Sequence, residues 1–257
     1  MSAVVHVDVR VACFQDTDEE PLRAAGAALL DEDEQARVAR FRHRPSARAF
    51  EVSHGITRRL LSEQAPVTLP REWRFDTGEW GKPQVAVGLP QVAFNLSHTH
   101  GAAAVAATKA QVALGIDVEQ VGRASDLQKL ARRCYSERER GALPEDGASE
   151  EFRETFFDLW TLKEAFMKAT GRGFSLGLMR FGFDLRQQPM DFWTEVDAEG
   201  PWSFVTWSPA PGYRASLCVQ ASDVQVRVLD ALAVPSPVRV RHQRGCWSIV
   251  SNRGTRS

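Results

Sequence analysis

Gly115-Ile116-Asp117-Val118-Glu119 and, further on, Trp160-Thr161-Leu162-Lys163-Glu164-Ala165-Phe166-Met167-Lys168 are the stretches from which the fold is read. In the first, apolar and acidic residues alternate, the period of a strand whose side chains point to opposite faces in turn. Leu114, Ile116 and Val118 then point into a core, and Asp117 and Glu119 share the other face. The second stretch repeats with a helical period: Phe152, Phe156, Leu159 and Phe166 form an apolar stripe. Glu164 lies beside the edge of that stripe, with Lys168 one turn on. A strand with two carboxylates and a helix with a third can gather three acids around one hard cation.

Each feature alone has a plainer reading. A lone Asp-x-Glu on a strand reads more readily as a solvated face. Glu164 and Lys168, four apart, could be a surface pair worth a few tenths of a kcal/mol. Lys163 resists that reading, because it falls near the middle of the apolar stripe, where a lysine is costly unless paired. The helix thus carries a basic–acidic pair where packing alone would prefer Leu, which hints at function.

Around these stretches the predicted elements follow from period and punctuation. Val5 to Ala12 alternates apolar with polar residues and reads as a strand. A helical run starts near Pro21. Another, basic, spans Asp31–Leu61 with a break near Pro45, where Ser46 is placed to cap the second piece; Phe50, His54 and Arg58 follow there at four-residue spacing. Strands are expected at 92–96, 102–107 and 112–119, helix at 126–141, and a long helix at 150–170 stopped by Gly171 and Gly173. Short strands then follow at 179–185, 192–196, 202–207, 213–220 and 224–230. The fold class is α+β, with two α+β halves at 1–112 and 113–234 and a flexible basic tail at 235–257; no repeat in the sequence proves a duplication.

Composition narrows the function. A formal net charge of −1 removes a global electrostatic case for nucleic acid. The basic residues cluster instead at 37–59 and 239–256, which suits a local anionic ligand. Cys13, Cys134, Cys218 and Cys246 are scattered, against a zinc knuckle or disulfide framework. No apolar run approaches the ~20 residues of a membrane helix, and the N-terminus lacks the apolar core of a signal peptide. The expectation is a reduced, cytoplasmic protein with no membrane partner. Walker A, Rossmann, Gly-x-Ser-x-Gly and His-Glu-x-x-His patterns are all absent from the sequence.

Four motifs occur in order: Gly81-Lys82-Pro83, Phe94-Asn95-Leu96-Ser97-His98, Gly115–Glu119 and Trp160 to Gly173. Together they resemble the 4′-phosphopantetheinyl transferases of the Sfp-like, surfactin-synthetase-activating type. The resemblance runs from about Arg37 to Gly173 and extends to the strands up to about 230. It implies a pseudodimeric monomer with the site at the junction of its halves. It implies transfer of the phosphopantetheine arm of coenzyme A to a serine of an apo acyl or peptidyl carrier protein, releasing adenosine 3′,5′-bisphosphate. By similarity Asp117, Glu119 and Glu164 hold Mg²⁺, with Mn²⁺ as a substitute, and Glu164 is also the base. Lys168 balances charge on the diphosphate, and Lys82, Ser97 and His98 contact coenzyme A phosphates. Arg37 and Arg48 match basic positions for the nucleotide end, with Arg58 as a substitute; Trp160 and Lys163 support the site.

His100 departs from the family pattern, and the tail has no family role; it is a solvated extension or a contact for an acidic carrier. Two other readings stay open: a Mg²⁺-dependent nucleotide hydrolase, and a non-catalytic module binding carrier protein or coenzyme A.

Overall fold

The computed structural model describes residues 3–14, 19–78, 81–122, 126–187, 190–230 and 250–251. The first strand, β1 (Val5–Cys13), leads to helices α1 (Glu19–Ala27), α2 (Glu32–Arg40) and α3 (Arg44–Gln64). A small ladder of β2 (Phe75–Thr77) and β3 (Pro83–Val85) precedes the hairpin of β4 (Ala93–Thr99) and β5 (Ala102–Thr108). After β6 (Leu114–Gln120) come α4 (Leu127–Cys134), α5 (Glu137–Arg140) and the long α6 (Glu150–Thr170). Strands β7 (Phe181–Asp184), β8 (Asp191–Thr194), β9 (Ser203–Trp207), β10 (Tyr213–Val219), β11 (Val224–Asp230) and β12 (Val250–Ser251) complete the described chain.

Two four-stranded sheets, ordered β11-β1-β5-β4 and β12-β9-β10-β6, lie between α3 on one side and α6 on the other. The alanine-rich β5 shows why. Ala103, Val105 and Ala107 belong to the core under α3, whereas Ala102, Ala104 and Ala106 join Leu114, Ile116, Val118, Val205 and Leu217 between the sheets. A strand buried on both faces at a close sheet-to-sheet approach has room only for small side chains. The third core, under α6, is aromatic: Phe166 contacts Phe181, Phe192, Trp202 and Phe204.

Of the polar residues of β1, His6 is exposed, whereas Asp8 and Arg10 are covered. Arg10 is fully buried and donates to the Glu63 carboxylate at 2.7 Å, and Asp8 accepts from Gln64 at 2.6 Å. The expected boundary at 112/113 falls between β5 and β6. Yet β11, from the later part of the chain, runs back to pair in parallel with β1, from Val5 opposite Val224 to Val11 opposite Asp230. Of the tail, only Val250–Ser251 lies within the described residues, paired with β9.

Helix boundaries follow their caps. The Ser149 hydroxyl accepts from the Phe152 amide at 3.0 Å to start α6, and Gly171 ends it at φ +72°, a conformation that costs glycine nothing. In α3 the helix starts earlier than expected. Pro45 occupies the first turn, where its missing N–H is no loss, and Ser46 lies inside the helix instead of capping it. Among the described residues no helix is long and apolar enough to cross a membrane.

Candidate active site

The site lies where the edge strand β4 of one sheet meets the edge strand β6 of the other. Alternate residues of β4 reach across as rungs. Asn95 Oδ1 accepts from the Ile116 amide at 2.8 Å, Ser97 Oγ donates to Asp117 Oδ1 at 2.7 Å, and Thr99 Oγ1 donates to Glu119 Oε2 at 3.0 Å. The strand period thus places the Phe-Asn-Leu-Ser-His motif against Gly-Ile-Asp-Val-Glu.

Gly115 brings in the helix. Any Cβ there would collide with the Ala165 carbonyl oxygen and the Ala169 amide nitrogen, so α6 sits directly on the strand backbone. That contact carries Glu164 and Lys168 to the 117/119 face of β6. Lys168 Nζ donates to Asp117 Oδ1 at 2.7 Å and to Ser97 Oγ at 2.8 Å. Asp117 is buried at 3% exposure, so the solvated-face reading of this residue is lost. Its other oxygen, Oδ2, is buried with no hydrogen-bond partner. Burial first, then the neighbouring charges of Asp117 and Glu119, push the Glu164 carboxyl up to about 7, against the opposing pull of Lys168.

Among the described residues, no three acidic, histidine or cysteine side chains converge as a ready-made metal cage. The donor chemistry nevertheless fits a hard cation: Asp117 has a buried oxygen lacking a partner, and Asp117 and Glu119 together disfavour charge on Glu164. Such ions are held by a few carboxylates with substrate oxygens and water completing the shell.

The other expected residues are distributed unequally. His98 lies on the face of β4 opposite Ser97 with part of its surface in solvent, and its pKa is lowered by partial burial, then by the charges of His54 and Lys168. Lys82 donates to the Leu114 and Ala169 carbonyls at 2.8 and 3.4 Å, which ties it to the end of α6 beside Lys168; burial lowers its pKa to about 8. Arg37 is exposed on α2 with its guanidinium 4.9 Å from the centre of the Phe50 ring, and Arg48 is half-buried near the start of α3. Arg58 does not fit the substitute role. It is buried, paired with Asp31 and Glu34, and donates to the Pro70 and Trp73 carbonyls, so its donors are used in holding α2, α3 and the 70–73 turn together.

Lys163 is explained by packing, not by the site. Its ammonium donates to Glu139 at 2.7 and 2.9 Å and to the Phe181 carbonyl at 2.7 Å, with both partners fully buried. Glu139 lies on the four-residue α5, a partner that helical spacing within α6 could not reveal. Trp160 stacks on Phe156 with the ring planes 9° apart, at the border of the aromatic core. His54 stacks on Phe50 and its Nδ1 lies 2.7 Å from Glu34 Oε1, so it shares the α2–α3 packing that holds Arg58.

An α–β–β–α arrangement thus gathers acids, a lysine and a serine on the seam between its sheets, donors that suit a hard cation and an anionic ligand. The comparisons narrow that chemistry. The family model of the 4′-phosphopantetheinyl transferase superfamily matches residues 113–218. The transferase psf-1 of Bacillus pumilus is 33% identical over 189 residues, 73% of this chain and 78% of its own. Sfp of Bacillus subtilis (strain 168) is 29% identical over 196 residues, 76% of this chain and 84% of its own. HetI of Nostoc sp. is 37% identical over 149 residues, 57% and 62% respectively. The chain belongs to the 4′-phosphopantetheinyl transferase superfamily, is Sfp-like, and is a transferase of the holo-acyl-carrier-protein synthase type.

Proposed function

We propose that this chain transfers the phosphopantetheine arm of coenzyme A to a serine of apo acyl or peptidyl carrier proteins, at the cluster of Asp117, Glu119, Glu164 and Lys168. The observation that carries the siting is Asp117: buried, with one oxygen bound by Lys168 and Ser97 and the other lacking a partner. A buried acid in that state calls for a cation.

In the reaction the carrier serine oxygen attacks the phosphorus that bears the pantetheine arm. A new phosphodiester forms, the bond to the bridging diphosphate oxygen breaks, and adenosine 3′,5′-bisphosphate leaves. Asp117, Glu119 and Glu164 would hold Mg²⁺ or Mn²⁺. A bound ion of this kind neutralises charge on the diphosphate. Lys168 supplies a positioned positive charge where the leaving group gains negative charge. Ser97 fixes both Lys168 and Asp117, and His98, on the other face of β4, serves a coenzyme A phosphate set apart from the acid cluster. Glu164, with its pKa raised to about 7, accepts the serine proton directly or through water. Its two roles compete, because a carboxylate on a cation is a weaker base. Lys82 reaches a coenzyme A phosphate only by leaving the Leu114 and Ala169 carbonyls; Arg37 and Arg48 serve the nucleotide end.

The halves 1–112 and 113–234 form a pseudodimer within one monomer. The 21-residue helices α3 and α6, each covering one four-stranded sheet, support that reading. Coenzyme A consumption followed by chromatography, with and without an apo carrier, tests the function. Consumption that needs the carrier is expected; consumption without it would move the protein to the hydrolases. A module that only binds would consume none, and has no use for crowded carboxylates.

A further inference from the structure

The turn that joins β4 to β5 reaches the acid face of β6. Thr99 pairs with Ala102, so His100 and Gly101 close the hairpin between them. Gly101 takes φ +72°, in the left-handed region that suits glycine, and a Cβ there would collide with the Tyr213 hydroxyl and crowd the Phe14 carbonyl. The Gly101 carbonyl accepts from the Phe14 amide at 2.8 Å, and the His100 carbonyl accepts from Tyr213 Oη at 3.3 Å. Tyr213 is buried, on β10 opposite Gln120 of β6. The turn is thus gripped from the end of β1 and from β10. His100, the departure from the family pattern, contributes its backbone to this grip while its side chain is exposed.

The gripped turn fixes the last residue of β4. Thr99 Oγ1 donates to Glu119 Oε2 at 3.0 Å, one rung beyond the bond from Ser97 to Asp117. The two acids differ in how much holding they need. Asp117 is buried, with Lys168 and Ser97 both on its Oδ1. Glu119 is half-buried, has one more rotatable bond, and shares its face with the like charge of Asp117 two residues away. The cation directly opposite Glu119 on β10, Arg214, turns to α6: its Nη2 lies 2.7 Å from Glu154 Oε1 and its Nε 3.4 Å from Asp158 Oδ1. A carboxylate that ligates a metal is itself oriented by a hydrogen bond from a neighbouring group. Thr99 supplies that bond from a β-branched side chain stiff at χ1, and its donation leaves lone pairs on the carboxylate for a cation. We infer that Thr99 is a positioning residue of the active site, whose hydroxyl, held by the gripped turn, keeps the Glu119 carboxylate beside Asp117 for the cation. This rests on the reading of Asp117, Glu119 and Glu164 as metal ligands.

The experiment titrates Mn²⁺ into wild-type protein, Thr99→Val, Thr99→Ser and Asp117→Asn, following free Mn²⁺ by electron paramagnetic resonance, and measures the Mg²⁺ dependence of transfer beside it. Thr99→Val keeps the branched shape without the donor. It should bind Mn²⁺ about tenfold more weakly and need correspondingly more Mg²⁺ for half-maximal transfer, with KM for coenzyme A at saturating Mg²⁺ within about twofold of wild type. Thr99→Ser keeps the hydroxyl and should hold Mn²⁺ within about threefold of wild type. Wild-type Mn²⁺ affinity in Thr99→Val, or an equal loss in Thr99→Ser, would overturn the inference, with cooperative melts showing both variants folded. Wild-type protein that binds no Mn²⁺, or binding undiminished in Asp117→Asn, would overturn the metal reading and this inference with it. Loss in Asp117→Asn beside normal binding in Thr99→Val overturns the inference alone.

Discussion

Asp117 and Glu164 sit on opposite elements, and their placement gives them different sensitivities. Asp117→Asn keeps the size of the side chain and the hydrogen bond from Ser97 but removes the charge that Lys168 and a cation would share. Glu164→Gln removes the proton acceptor. Each should lower transfer by about 10²–10⁴-fold, with circular dichroism unchanged; normal turnover in either folded variant would sink the siting. Protonation of Glu164 also couples to stability. Its folded pKa lies near 7 against an ordinary 4.5, so between those values the folded state binds the extra proton. Stability from this group is present below 4.5 and is lost as pH rises through 7. In EDTA, thermal midpoints should therefore fall across that window, and Glu164→Gln should flatten the slope. Added Mg²⁺ should stabilise more at pH 8 than at pH 5, since binding to the folded state alone raises stability by mass action. An unchanged slope in Glu164→Gln would contradict this account.

At the scale of elements, α6 does two jobs on two faces. One face is set on β6 by Gly115. Gly115→Ala forces the helix off the strand, a form of overpacking that costs about 1–3 kcal/mol and sometimes more. It should also cut transfer, because Glu164 and Lys168 move with the helix. Ile116→Val, one residue away on the inter-sheet face, should cost about 0.5–1.5 kcal/mol and leave transfer intact. Urea denaturation read beside activity distinguishes the two; equal activity loss in both would refute the seating argument. The other job belongs to Lys163. Lys163→Met alone strands Glu139 in the core and should destabilise by about 3–5 kcal/mol, whereas Lys163→Met with Glu139→Gln should recover most of it. A single variant as stable as wild type would show that the pair is not buried in solution. Much of α6 was legible in the sequence, since Gly171, the phenylalanine stripe and the acids are local signals. The partner of Lys163 was not, because Glu139 lies 24 residues away on another helix. Ser46 misled for a related reason: a residue suited to cap a helix lost to Pro45 in the first turn, and the start falls three residues earlier, with His43 at the N-cap.

Across the whole molecule, the strands themselves were mostly readable from alternation and turns, and their pairing was not. β11 was expected as a strand at 224–230, yet nothing local says that it returns to β1; parallel pairing over more than 200 residues depends on the shapes of both sheets. The alanines of β5 read as a small-residue run, and only the stacked sheets explain them. One consequence is testable: without β11, the 1–112 part lacks an edge strand and the inter-sheet core. Expressed alone it should show no cooperative melt, and mixing with 113–257 should restore one. An independently two-state 1–112 fragment would contradict the interdependence of the two sheets.

The most direct test of the central claim is intact-mass spectrometry of an apo carrier protein incubated with this protein, coenzyme A and Mg²⁺. A gain of one phosphopantetheine, ~340 Da as the group carried by this cofactor, is predicted, abolished by EDTA and by Asp117→Asn. A gain that survives both would contradict the metal-dependent site at Asp117, and no gain on several carriers despite bound coenzyme A would contradict transfer itself.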